Sequence, residues 1–458
     1  MFKWNANNII NATNGEEINR FNPIHSSNIS IDTRKIKKGD IFIALKGKNF
    51  DGHNFLHEAF LKGAAVAVVS ENKYTNHLPL IIVKDTLKAL HDMASYYIKN
   101  VLIDAKIIAI TGSVGKTTTK DMMYTVLSQY GISHANEENL NNNIGLPLTV
   151  LKASENCQYL ILEMGMNKAC EIKELSKISN PNIAVITNIE HAHIENFSSL
   201  FDVGRAKLEV LYGMKNNGTL ILNRDDKYYD YLSSHADSSI ISFGKDRGAT
   251  VHLLNLIRND DKLDLKIRLS NDLIIDCNLP IRGEHFAYSV LAVAAVLQSL
   301  GLNLSKLPLA LKNFNVTKGR GNVHKATYNR NIVYLIDDSY NANPASMRAA
   351  IRTLGTYLNQ RKVALLGDML ELGNKGPAFH KELVNSIAEY NVSRVYTVGK
   401  LMLELQSLLP SNIRGTHFDE VNQLKINLPN IIQNNDVILI KGSRKMQMNL
   451  IVQNFTIE

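Results

Sequence analysis

The stretch Ile110-Thr111-Gly112-Ser113-Val114-Gly115-Lys116-Thr117-Thr118 constrains this chain more than any other. An apolar run, Lys106 to Ile110, leads into it, and a helix-like segment, Asp121 to Leu127, follows. Strand, glycine turn and helix start together form the geometry that encloses a nucleotide phosphate. The glycines let backbone N–H groups close on the oxygens, and the helix N-terminus adds the positive end of its dipole. Lys116 is placed to reach the β- and γ-phosphates, and the Thr117 hydroxyl to ligate Mg²⁺. Ile110 stands where the first glycine of the usual pattern falls, so only Gly112 and Gly115 remain and the loop is short.

The chain has 458 residues, which suggests about three domains at the ordinary domain size. We expect an α/β protein: a small α/β head over 1–98, a central ATPase-type parallel sheet over 99–314, and a C-terminal Rossmann-like α/β unit over 315–458. In the head, Asp40 to Leu45, Ala65 to Val69 and Leu80 to Val83 read as short strands, and Asp85 to Lys99 as a connecting helix. In the centre, Lys106–Thr111, Tyr159–Met164, Ile183–Ile189 and Gly218–Asn223 are near-continuous apolar runs separated by helical segments. That pattern implies a parallel sheet covered on both faces. Residues 251–282 alternate instead and read as a small antiparallel insertion. Further strands fall at Ile332–Ile336, Val363–Leu366, Arg394–Val398 and Val437–Ile440. This last unit resembles a dinucleotide-binding fold without its glycine fingerprint.

Composition narrows the class. Cys157, Cys170 and Cys277 have no paired spacing, which argues against a disulfide framework or thiolate zinc site and fits a reducing cytoplasm. No signal-like segment opens the chain, and no apolar run approaches a bilayer span, so a soluble protein with no membrane insertion is expected. The net charge of +8 invites a nucleic-acid reading. The lysines are dispersed, however, and the densest cluster, Arg34-Lys35-Ile36-Lys37-Lys38, is short and has no aromatic interleaving. Anionic small substrates account for the balance equally well, and no nucleic-acid partner is expected.

Other polar residues sit at strand ends. Glu163 closes an apolar strand beside the phosphate loop, where an acid can hold Mg²⁺. His191 and His193 follow the next strand and face one side if the chain stays extended. Lys207 lies in an ordinary-looking helix, and its periodicity reads as solvated. Asp337-Asp338-Ser339-Tyr340-Asn341-Ala342-Asn343-Pro344 makes a polar loop after a strand. Lys441-Gly442-Ser443-Arg444-Lys445 does the same, either as an anion clamp or as a basic surface turn.

Taken in order, these motifs resemble the Mur ligases, which extend the peptidoglycan precursor peptide using ATP. Asp32-Thr33-Arg34, the segment Gly39 to Gly47 with Lys46, and Asp51-Gly52-His53 look like that family's UDP-binding head. Thr111 to Thr118 matches its shortened ATP loop, and Asn139 to Pro147, with Asn141 and Asn142, its substrate loop. Glu163 and His193 align with its Mg²⁺-binding segments. The family carboxylates a lysine fourteen residues beyond that histidine, the separation at which Lys207 stands. The resemblance therefore implies a carbamate on Lys207 as a metal ligand, with Lys116, Lys207, His193 and Glu163 as the catalytic set. Arg320 and Asp338 correspond to nucleotide contacts, and Gly283 to Ser289, including His285, to an adenine-side motif in which Ser289 replaces a usual asparagine. The strings around Asn341 and Asn343 and over Gly367 to Gly373 point to the branch that joins D-alanyl-D-alanine to a UDP-N-acetylmuramoyl-tripeptide. Nothing in the sequence demands more than a monomer.

Overall fold

The computed structural model describes residues 2–19, 28–71, 78–192, 194–259 and 262–458. His193, a candidate metal ligand, lies outside the described residues. Three sheets organise the rest.

The first sheet contains β1 (Glu16–Ile18), β2 (Ile29–Ser30), β3 (Ile41–Ile43), β4 (Val66–Val69) and β5 (Leu80–Ile82), accompanied by α1 (Ala6–Thr13), α2 (Leu56–Leu61) and α3 (Thr86–Asn100). Its order is β1-β5-β4-β3-β2, with β1 antiparallel to its neighbour and the others parallel. Asp85 caps α3 by accepting from the amides of Leu87 and Lys88.

The central sheet alternates with helices in the order β6 (Lys106–Thr111), α4 (Lys116–Leu127), β7 (Ser133–Ala135), α5 (Gly145–Lys152), β8 (Tyr159–Glu163), α6 (Glu171–Ser179), β9 (Ile183–Ile186), α7 (Leu200–Leu208), β10 (Thr219–Asn223), α8 (Tyr229–Ser234) and β11 (Ser239–Gly244). β12 (Val251–Arg258), β13 (Leu263–Arg268), β14 (Ile274–Leu279), α9 (Phe286–Ser299) and α10 (Leu307–Lys312) complete it. The strand order is β14-β13-β12-β11-β10-β9-β6-β8-β7. The segment expected as a separate insertion is instead the edge of this sheet. β12 pairs parallel with β11 through Phe243–Val251, and β13 and β14 add antiparallel strands beyond it. The reason is α9, whose run Val290 to Leu297 is buried on every side and needs a wide apolar surface beneath it.

The third sheet comprises β15 (Asn322–Tyr328), β16 (Asn331–Asp338), α11 (Pro344–Gly355), β17 (Lys362–Gly367), α12 (Gly376–Glu389), β18 (Arg394–Val398), α13 (Met402–Leu408), β19 (Arg414–Phe418), α14 (Val421–Ile431), β20 (Val437–Lys441), α15 (Asn449–Val452) and β21 (Thr456–Ile457). Its order is β19-β18-β17-β20-β16-β15-β21, parallel from β19 to β16 and antiparallel beyond.

The units are joined unequally. The head and centre share one apolar cluster through α3, whose Leu90, Met93 and Tyr97 pack with Trp4 on one side and Leu146 and Leu175 on the other. The third sheet buries its own clusters on its two faces. Between it and the centre lies a cleft of about 1410 Å³, lined by the carboxyl ends of β6, β8, β9, β10, β16 and β20. Open parallel sheets place ligands at such ends, because helix N-termini converge there.

Candidate active site

The phosphate loop is built by close approach. Gly112 holds a φ of +147°, and a Cβ there would fall 1.8 Å from the Thr187 hydroxyl oxygen. Gly115 at φ +81° is the N-cap of α4 and provides no side-chain cap, so the first-turn amides of Lys116, Thr117 and Thr118 face the cleft without one. The end of β9 splints the rest of the loop. Ser113 N donates to Asn188 O (3.0 Å), Val114 N to Asn188 Oδ1 (2.9 Å), and Thr187 Oγ1 to Val114 O (2.6 Å). Ser113 Oγ and the Glu190 backbone exchange two bonds of 2.9 Å. Lys116 folds back to donate to Gly112 O at 2.8 Å, and burial pushes its ammonium below the ordinary lysine range.

Glu163 is 2% exposed at the end of β8. Its Oε1 accepts from Asn141 Nδ2 (2.8 Å), while its Oε2 is buried and has no hydrogen-bond partner among the described residues. Asn136 holds the strand end: its Oδ1 accepts from Glu163 N (2.6 Å), and its Nδ2 donates to Leu140 O (2.6 Å). Lys120 Nζ in turn donates to Asn136 O (2.7 Å). Asn142 Oδ1 accepts from the amides of Ile144 and Gly145, fixing the start of α5.

Lys207 is not the solvated lysine its periodicity suggests. It is 3% exposed, because it shares the buried face of α7 with Val203, four residues earlier. Its ammonium makes no ion pair among the described residues. Burial drives it well below the ordinary range, and the nearby charge of Lys116 pushes the same way. Its side chain reaches the cleft from that buried face.

The opposite wall comes from the third sheet. Asp338 pairs with the buried Lys441 at 2.6 Å, and Lys441 also donates to Asn341 O at 2.8 Å. Burial nonetheless raises the Asp338 carboxyl above the ordinary range. Arg320 stacks over Tyr340, 3.9 Å from the ring centre, with its Nε buried and unpaired among the described residues. Arg444 donates to the Tyr340 hydroxyl (3.3 Å). Asn343 caps α11 through a reciprocal box with Ser346, so its side-chain oxygen is engaged structurally. His285 borders the same cleft. Burial, with the charges of Arg352 and Lys441, lowers it to about 4, and its Nδ1 has no partner among the described residues. Ser289 Oγ bonds Thr119 Oγ1 within the protein (3.0 Å).

The cleft therefore gathers Gly112 to Thr118, Asn141, Asn142, Glu163, Lys207, His285, Arg320, Asp338, Asn341 and Asn343. The head residues do not line it. Asp32 and Arg34 form a bidentate pair, and Thr33 donates to Glu58. Asp51 accepts from His53 Nδ1 (2.6 Å), with Lys46 at 3.6 Å. Gly52 is required there, since a Cβ would fall 2.8 Å from Leu45 O. Gly47 closes the same turn by donating to Phe50 O.

Comparison with known proteins adds an independent observation. Three models match in chain order: "Mur ligase family, catalytic domain" over residues 25–98, "Mur ligase middle domain" over 110–297, and "Mur ligase, glutamate ligase domain" over 319–444. A UDP-N-acetylmuramoyl-tripeptide–D-alanyl-D-alanine ligase of Buchnera aphidicola subsp. Baizongia pistaciae is 37% identical over 94% of this chain and 92% of that protein. The chain belongs to the Mur ligase family. Among solved structures, MurF from Acinetobacter baumannii superposes with a TM-score of 0.90 at 30% identity, covering 99% of both chains. MurF from Thermotoga maritima in complex with ADP gives 0.82 at 25% identity, covering 93% of this chain and 96% of that one.

Several residues of this Mur ligase cleft escaped sequence reasoning. Asn136 and Thr187 act through the backbone of β8 and of the loop, and a lone Asn or Thr at a strand end gives no pattern to read. Asp225 and Asp226 follow β10 much as Glu163 ends β8, and that parallel was a usable signal. Asp225 accepts from Tyr288 (2.8 Å), and Asp226 accepts from Ile189 N (2.7 Å).

Proposed function

We propose that this chain joins D-alanyl-D-alanine to UDP-N-acetylmuramoyl-tripeptide with cleavage of ATP to ADP and phosphate. The carrying observation is the convergence on one cleft of an uncapped helix N-terminus, the unpartnered Glu163 Oε2 and the buried Lys207, faced by Arg320 and Asp338 from the third unit. The name of the Buchnera relative and the ADP complex of the Thermotoga enzyme agree with it.

A peptide bond does not form readily from a carboxylate, because its oxygen is a poor leaving group. In the proposed reaction a carboxylate oxygen of the tripeptide attacks the γ-phosphorus of ATP, and ADP leaves. The dipeptide amine then attacks the acyl carbon and loses a proton. Orthophosphate departs with the former carboxylate oxygen. Lys116 and the first-turn amides of α4 hold charge on the transferring group. Arg320 and Asp338 form the nucleotide side of the opposite wall, with His285 at the start of α9 across from them; Asn341 and Asn343 from that wall and Asn141 and Asn142 from the centre form the substrate side. Asp32, Thr33, Arg34, Lys46, Gly47, Asp51, Gly52 and His53 are assigned to the UDP end. The functional division is 1–98, 99–314 and 315–458.

Mg²⁺ fits the corner, since Glu163 Oε2 and the buried Thr117 hydroxyl are hard oxygen donors. No three His, Cys, Asp or Glu side chains gather as a metal cluster among the described residues; phosphate oxygens and, by the family resemblance, His193 would complete the set. When bound, the metal neutralises charge on the phosphates. A carbamate on Lys207 would be the further ligand: CO₂ adds to its amine, one N–C bond forms, and a proton is lost. Carbon-13 NMR after equilibration with labelled CO₂ should show a carbamate signal that vanishes in Lys207→Ala, whose activity small carboxylates partly restore. A monomer in a reducing cytoplasm suits the exposed free thiol of Cys170. No helix among the described residues is long and apolar enough to cross a membrane.

Mass spectrometry of products decides the assignment. Tripeptide precursor should gain one dipeptide less water, and oxygen-18 in its carboxylate should appear in orthophosphate. Phosphate free of the label would overturn the acyl-phosphate route.

A further inference from the structure

Arg348 is left over once the nucleotide wall has been accounted for. It lies in the second turn of α11, lines the cleft, and is 43% exposed. Its contact across the cleft is with Glu190, at 4.0 Å, the loose limit of an ion pair. The other arginines of this wall are committed: Arg320 stacks on Tyr340, and Arg444 bonds its hydroxyl.

Position then adds meaning. The Glu190 backbone is tied to the phosphate loop through Ser113 Oγ at 2.9 Å. The Arg348 guanidinium is therefore linked to that loop through one glutamate and one ion-pair gap. An extended dipeptide spans about 7 Å. Ala345 and Ala349 share the helix face of Arg348 and line the same cleft, presenting an apolar wall that suits methyl side chains. A guanidinium is a planar fork that a carboxylate matches with two parallel hydrogen bonds.

We propose that Arg348 binds the terminal carboxylate of the incoming dipeptide, which displaces Glu190 from the guanidinium and aims the free amine at the phosphate loop. This rests on the ligase reading above and names the group that selects its second substrate. The assay is steady-state phosphate release with D-alanyl-D-alanine and with its C-terminal amide, using wild type and Arg348→Gln. Wild type should prefer the acid by about a hundredfold in kcat/KM, the usual scale for a paired charge in a closed site. Arg348→Gln should raise KM for the acid to that of the amide, leave KM for ATP and tripeptide within about twofold, and keep the wild-type melting temperature. Arg348→Lys, which retains the charge and loses the fork, should fall between. Equal use of acid and amide by wild type, or an undiminished preference in Arg348→Gln, overturns the proposal. Absence of any dipeptide-dependent phosphate release in wild type sinks the ligase reading itself, and this assignment with it.

Discussion

Replacing Gly112 by alanine tests how the phosphate loop is held. The added methyl would lie 1.8 Å from Thr187 Oγ1, 3.0 Å from Thr187 Cβ and 3.1 Å from Thr187 N. Thr187 has little freedom to yield, being 7% exposed and donating to Val114 O at 2.6 Å. Three costs combine. A side chain at φ +147° adds about 1–3 kcal/mol. Overpacking adds about 1–3 kcal/mol, and loss of the Thr187 bond about 1 kcal/mol. Loop movement relieves part of this, leaving on the order of 3 kcal/mol, or about a hundredfold in nucleotide affinity. Titration calorimetry with a non-hydrolysable ATP analogue measures it, and thermal unfolding checks that the sheet survives. Adding Thr187→Ala removes the worst contact while leaving the strained φ, so the double variant should recover part of the loss, with a coupling of about 1–2 kcal/mol. Affinity within threefold of wild type in Gly112→Ala, or strict additivity, would refute this account of the loop.

Three further outcomes are expected. Asn136→Ala strands the buried amide of Glu163 and frees the 139–143 loop, so kcat should fall about tenfold or more, at a stability cost of about 1–3 kcal/mol, both read from kinetics and chemical denaturation. Cys170→Gly should raise stability by about 1 kcal/mol in the same denaturation assay, because Cys170 holds φ +72° as the N-cap of α6. His285 is depressed from 6.5 to about 4, so the unfolded chain takes up its proton first on acidification. Its contribution is full above pH 6.5 and is lost as pH falls towards about 4, and the drop in melting temperature over that window should be shallower in His285→Asn.

Elements buried on both faces were legible in the chain. Val66–Val69, Tyr159–Glu163 and Val437–Lys441 are almost wholly buried, so their apolar runs are continuous and stand out. β15 and β19 were missed because they are mostly half-buried and read as polar, and they gain their strand character from neighbours distant in sequence. Lys207 is a different case. Periodicity over the short helix read it as solvated, whereas it shares the buried face of α7 with Val203, and only the family resemblance placed it at the site.

The opposite wall of the cleft follows from register, which no local pattern carries. β16 pairs with β20, although two strands and three helices other than β20 intervene between them in sequence before β19 and α14 are even counted, and that pairing sets Asp338 beside Lys441. A polar loop after β16 and a basic turn after β20 are each ambiguous alone. Aligned at one carboxyl edge they become a neutralised pair with an arginine-lined rim. That rim belongs to a unit whose buried clusters are its own, and it meets the centre through the partly buried Ile194 and through contacts such as Arg348 with Glu190 and His191 with Phe379. Polar and edge contacts can exchange partners at little cost, whereas the α3 core that welds the head to the centre cannot. The cleft can therefore change its width around bound nucleotide and dipeptide without exposing a buried core, and the phosphate loop keeps its geometry because β9, on the rigid side, holds it.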